Sequence, residues 1–157
     1  MKTGIGVTIV LGIILLSAGA RAHCEIPCGI YGDRMRIDMI AEDITTVEKS
    51  MKQIEELGSA DDKNWNQLVR WINNKELHAN KIQEIVYQYF MNQRITPVTD
   101  PEADGYDKYI REITLLHRML VQAMKVKQST DLEHITNLRK LLDAFSDSYF
   151  QGKEHMH

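Results

Sequence analysis

The sequence predicts an all-α protein, an antiparallel up-down four-helix bundle, carried behind an N-terminal segment of different character. Three observations lead there. No strand-like alternation of any length follows Tyr31. The three prolines stand at 27, 97 and 101, which leaves long stretches free of helix breakers. Four segments repeat apolar residues three or four apart, the period of one buried helical face. None can bury its stripe alone, and short linkers make successive helices antiparallel neighbours.

The first helix is expected from about 33 to 57, with Ile37, Ile40, Ile44, Val47, Met51, Ile54 and Leu57 on one face and Gly58 stopping it in the usual C-terminal position. The second, from about 62 to 94, carries Trp65, Leu68, Val69, Ile72, Leu77, Ile82, Ile85, Val86, Tyr89 and Phe90, and Pro97 with Pro101 closes it. The third, from about 104 to 127, carries Tyr109, Ile110, Ile113, Leu116, Leu120, Ala123 and Met124. The fourth opens at Thr130-x-x-Glu133, a capping-box spacing, and carries Leu132, Ile135, Leu138, Leu142, Phe145 and Tyr149. The bundle so read spans 33–151, without internal repeats or low-complexity stretches. Its methionines and aromatic residues fall mainly on or near the stripes, where they read as core filling. His78, His117 and His134 lack partners at metal-ligand spacing and are expected to be exposed or satisfied. The tail His155-Met156-His157 reads as a disordered terminus.

Residues 1–22 read as a cleavable signal peptide: Lys2 gives the positive start, residues 5–17 an apolar run, and Ala20-Arg21-Ala22 a small-x-small cleavage site. The apolar run is short for a membrane span, which needs roughly 20 residues. The expectation is an exported protein, periplasmic or extracellular, with no membrane association once the leader is gone. Losing Lys2 and Arg21 moves the formal charge from -3 to -5, since Lys+Arg falls from 19 to 17 against Asp+Glu 22. An acidic chain without a basic run argues against a nucleic-acid partner. It also means that attraction of an anionic substrate must be local. The remaining 23–157 read as one domain, with a hook at 23–31.

Cleavage after Ala22 would leave His23-Cys24-Glu25-Ile26-Pro27-Cys28-Gly29-Ile30-Tyr31 as the new N-terminus. A free amine, an imidazole and two thiols then lie within six residues, a donor set suited to a transition metal rather than to calcium or magnesium. A Cys24–Cys28 disulfide would close only a small terminal loop and stabilise little. A metal lowers the thiol pKa enough to make both sulfurs thiolate donors at neutral pH. With Ala22 cut away the His23 nitrogen becomes an amine of pKa near 8, able to coordinate once deprotonated. The Cys24 amide lies between that amine and the Cys24 sulfur, so a metal able to displace its proton completes a planar set of two nitrogens and two sulfurs. Nickel(II) suits that plane; copper competes, and zinc prefers a tetrahedron. Pro27 fixes its own φ and restricts Ile26, and Gly29 permits a sharp exit after Cys28.

The string resembles the metal hook of the nickel superoxide dismutase family, H-C-x-x-P-C-G-x-Y, and all six fixed letters match. The resemblance implies a homohexamer of four-helix bundles with hooks near subunit interfaces, one nickel ion per subunit held by His23, Cys24 and Cys28, and dismutation of superoxide to dioxygen and hydrogen peroxide. It implies further that His23 supplies an axial nitrogen to the oxidised metal and that Tyr31 stands over the open metal face. Tyr89, in Val86-Tyr87-Gln88-Tyr89-Phe90, resembles the family's second pocket tyrosine, with Tyr87 the rival assignment. The family orients the histidine with an acidic residue of the first helix, for which Asp38 and Glu42 are the candidates. The arginine that pairs with that carboxylate is matched by asparagine in Asn73-Asn74-Lys75-Glu76-Leu77, so either Arg70 substitutes or this surrounding is built differently. Two other classes fit the same letters. One is a non-catalytic nickel- or copper-binding, metal-delivery helical protein; the other is a secreted bundle with Cys24 and Cys28 oxidised to a disulfide. A carrier needs no gating tyrosine, and the common terminal copper-nickel chelate puts histidine third, not first.

Overall fold

The computed structural model describes residues 32–151; the leader, the hook residues His23, Cys24, Cys28 and Tyr31, and the His155-Met156-His157 tail lie outside them. The described residues form four helices and no strand: α1 (Asp33–Ser59), α2 (Trp65–Glu84) running on as a π-helix (Ile85–Arg94), α3 (Tyr106–Gln128) and α4 (Glu133–Phe150). None is long and apolar enough to cross a membrane.

Side-chain hydrogen bonds fix the topology. Ser50 accepts from Asn74 near the middle of α1 and Asp33 from Tyr89 at its start, so α2 runs back along α1. Lys75 reaches the Lys127 carbonyl and Gln83 the Leu120 carbonyl, so α3 reverses again. Tyr149 meets Asp33 while Thr130 meets Glu55, which brings α4 antiparallel beside α1 and closes the ring. The core is the expected one over most of its length. Ile40, Ile44, Val47, Met51, Ile82, Val86, Phe90, Leu116, Met119, Leu138 and Phe145 are wholly buried.

Four expectations need correction. Gly58 does not stop α1 in a left-handed turn. The helix runs on through Ser59 and leaves through an extended Ala60, and the one positive φ among the described residues is Gly105, at 90°, capping the start of α3. The α4 capping box does not form, because the Thr130 hydroxyl is spent across the bundle end on Glu55; the Asp131 carboxylate accepts the Glu133 N–H at 2.8 Å instead. The second helix begins at Trp65, with the Asn64 side chain accepting from the Gln67 N–H at 3.1 Å. Its early apolar residues Trp65, Val69, Ile72 and Leu77 face outward, as do Ile110, Met124 and Leu132 on the later elements. The inward line of α2 is Lys75, Ala79 and Ile82, spaced three to four apart. A charged residue in that line hides it from a hydrophobicity pattern. The buried Lys75 amine is satisfied by the Lys127 and Ser129 carbonyls at 2.6 and 3.3 Å, where it caps the end of α3. Burial pushes its pKa down, against the opposing pull of Glu76.

Candidate metal centre

Asp33 opens α1, two residues after Tyr31, and its helix start has no side-chain cap, since Gly32 holds that position. The Asp33 carboxylate instead turns to the other helices. Oδ1 accepts from the Tyr89 hydroxyl at 2.7 Å and from Arg94 Nε at 2.8 Å; Oδ2 accepts from the Tyr149 hydroxyl at 2.7 Å. Arg94 also donates to the Tyr89 oxygen, from Nε at 3.2 Å and Nη2 at 3.1 Å. Tyr89 and Arg94 are five apart, and the i→i+5 bonding of the π-helix stacks residues at that spacing on one side. The Ile95 N–H bond to the Phe90 carbonyl, 2.9 Å, closes this segment with the same span. An α-helix over the same residues would splay the pair.

Beneath this cluster lies an aromatic floor. Phe90 meets Tyr89, Phe145 and Tyr149 edge-on at centroid distances of 5.1, 4.9 and 5.5 Å. Around it lie cations: the guanidinium carbons of Arg36 and Arg94 sit 5.0 and 5.1 Å from the Tyr89 ring centre, and that of Arg34 4.0 Å from Phe150.

Charge states follow from the geometry. Burial opposes the Asp33 anion, but hydrogen bonds from Tyr89 and Tyr149 and the Arg94 charge outweigh it and hold the carboxyl below its ordinary range. Burial and the Asp33 acceptor push both phenols up, Tyr149 far above the ordinary tyrosine value and Tyr89 less so. Burial alone would lower Arg94, but Tyr89 and Asp33 raise it on balance.

Of the expected site residues, Tyr89 is the one within the described region, and it is 7% exposed at the bundle end where the hook joins; the rival Tyr87 is 43% exposed. Asp38 and Glu42 both lie on the exposed side of α1. Arg70 is four residues before Asn74 and so stands opposite residue 54 of α1, given the Ser50–Asn74 pair. At 1.5 Å per residue that is roughly 18–24 Å along α1 from Glu42 and Asp38, so within one chain Arg70 does not replace the missing arginine. Asn74 is committed to Ser50 at 2.9 Å. His78 is satisfied by Asp43 at 2.6 Å and His134 by Gln122 at 3.0 Å, and His117 is exposed, as expected. Sequence reasoning missed Asp33, Arg94 and Tyr149. The one local signal was the five-residue gap between Tyr89 and Arg94, which has meaning only in a π-helix.

Among the described residues no group of three or more His, Cys, Asp or Glu side chains could hold a metal ion. The chain's two cysteines are Cys24 and Cys28, so a thiolate-ligated metal has its donors in the hook. Two thiolates with a terminal amine, an amide nitrogen and an imidazole fit nickel by donor chemistry. A family model described as nickel-containing superoxide dismutase matches residues 18–153, which takes in both the hook and the bundle. Comparison with curated proteins and with solved structures gives no match.

Proposed function

This chain belongs to the nickel-containing superoxide dismutase family, an oxidoreductase family with a nickel cofactor, and from that premise we propose that its nickel is held by the N-terminus created when residues 1–22 are removed. The observation that carries the reading is the position of the hook. All six fixed letters begin at His23, directly behind the cleavage site Ala20-Arg21-Ala22. The His23 amine and imidazole, the Cys24 amide nitrogen and the Cys24 and Cys28 sulfurs are the donors that would hold the nickel. When bound, nickel would supply a one-electron couple between the (III) and (II) states, by which one superoxide would be oxidised to dioxygen and the next reduced, with two protons, to hydrogen peroxide. The thiolates put negative charge on the metal and favour its higher oxidation state, and the His23 nitrogen acts in the same direction. Tyr31 controls approach of the anion through its hydroxyl. Tyr89 stands at the end of the bundle where α1 begins, with its own proton directed to Asp33. Arg36 and Arg94 lie against the Tyr89 ring and Arg34 against Phe150, the cations that an approaching anion would meet there.

Export through the leader, and assembly as a homohexamer with one nickel per subunit, belong to the same reading. Assembly is supported by the family resemblance and by Trp65, Val69 and Ile72, 65%, 53% and 38% exposed at i, i+4 and i+7 on α2. The hook is tested by Cys24→Ser and Cys28→Ser in a chain beginning at His23. Each is expected to lose both nickel and dismutation, with helical circular dichroism unchanged because the hook lies outside the bundle stripes. Wild-type activity in either variant would remove the two-thiolate site.

A further inference from the structure

We propose that Asp33 is a positioning residue of the dismutase, a latch that fixes the start of α1, the root of the N-terminal segment, against the bundle and holds the Tyr89 hydroxyl in place. The inference rests on the hook reading above. Helix ends fray unless their first N–H groups find partners. The start of α1 has glycine at the cap and no capping side chain. Asp33 does not satisfy those N–H groups but anchors the turn from outside: three side-chain donors from two other elements, 56, 61 and 116 residues away, converge on its carboxylate. The Tyr89 hydroxyl is bonded to the same carboxylate. One side chain thus fixes both the first turn of α1 and the Tyr89 hydroxyl. The π-helix is the device that makes this possible, since it presents Tyr89 and Arg94 to one acceptor. A misplacement of about 1 Å at a reacting centre can cost as much as a hundredfold in rate, so loosening the root should act on turnover while leaving the metal donors intact.

The experiment uses chains beginning at His23: wild type, Asp33→Asn, Tyr149→Phe and Cys24→Ser. Backbone hydrogen exchange is followed on the metal-free proteins. Nickel content, the thiolate-to-nickel absorption and turnover are followed on the loaded ones, at temperatures well below unfolding. Asp33→Asn is expected to bind nickel stoichiometrically with bundle helicity unchanged. The first-turn amides of α1 should exchange at least about 10-fold faster, and turnover should fall about 10- to 100-fold. Tyr149→Phe, which removes one of the donors, should move both in the same direction by less. Wild-type exchange and turnover in Asp33→Asn overturn the latch, as does a loss of turnover explained wholly by lost nickel. If Asp33→Asn fails to fold, the same two measurements on Tyr149→Phe decide. Nickel retained by Cys24→Ser would sink the hook reading, while the exchange measurement on metal-free chains still reports on the latch.

Discussion

A carboxylate that accepts from two phenols and a guanidinium stays charged in spite of its burial, and that sets how the bundle end answers to pH. The Asp33 pKa is lowered in the fold from its ordinary 3.8. Its contribution to stability is therefore fully present above that value and is lost as pH falls through the lower, folded value. Tyr89 and Tyr149 are raised from 10.0, so theirs is present below that value and lost as pH rises through the higher, folded values. The difference in thermal midpoint between wild type and Asp33→Asn should thus hold steady from about pH 5 to 9 and close below the ordinary carboxylate value. A gap that narrows already between pH 7 and 5 would show that Asp33 does not carry the network. This cluster also marks what the residues alone could not disclose. The proposed hook can be read as letters because its candidate donors are neighbours in sequence, whereas Asp33 meets Tyr149 across 116 residues. Nothing local to Asp33 distinguishes it from an ordinary first-turn acid.

At the scale of the elements, helix spans were legible because each stripe repeats at the helical period, and the errors came where a polar group was put to a private use. Thr130 left its capping box for Glu55. Gly58 stayed helical, so the break falls at Ala60. The inward line of α2 was misread because Lys75 stands in it, buried, with its amine on the carbonyls at the end of α3. A π-helix leaves no hydrophobicity signal at all, since its residues read equally well as the end of an α-helix. Lys75 gives the element-scale prediction. Lys75→Met keeps the stem and removes the cap, leaving part-buried carbonyls without their donor, and should lower the free energy of unfolding in urea by about 1–3 kcal/mol with turnover retained. Equal or greater stability would mean that relief of the buried ammonium outweighs the lost hydrogen bonds.

For the whole molecule, the proposed hook would be joined to the bundle by a processing event, because the amine that completes its donor set would not exist until the leader is removed. A chain that keeps even one residue before His23 has an amide there, whose lone pair is delocalised and far weaker as a donor than an amine of pKa near 8. Every side chain, the Asp33 cluster and the four helices would be unchanged, yet the metal would lack one of its four planar donors. Three forms separate the possibilities: a chain beginning at His23, the same chain with one additional alanine in front, and the full chain with Ala20 and Ala22 replaced by bulky residues to block cleavage. All three should give the same helical circular dichroism from the bundle. The first alone should take up nickel stoichiometrically and remove superoxide. If the alanine-extended form matches it in nickel content and activity, the terminus is not a ligand, and the metal must be held by side chains alone. Uptake by the first form only would make leader removal the step that switches the enzyme on, which ties activity to the compartment where the leader is cut.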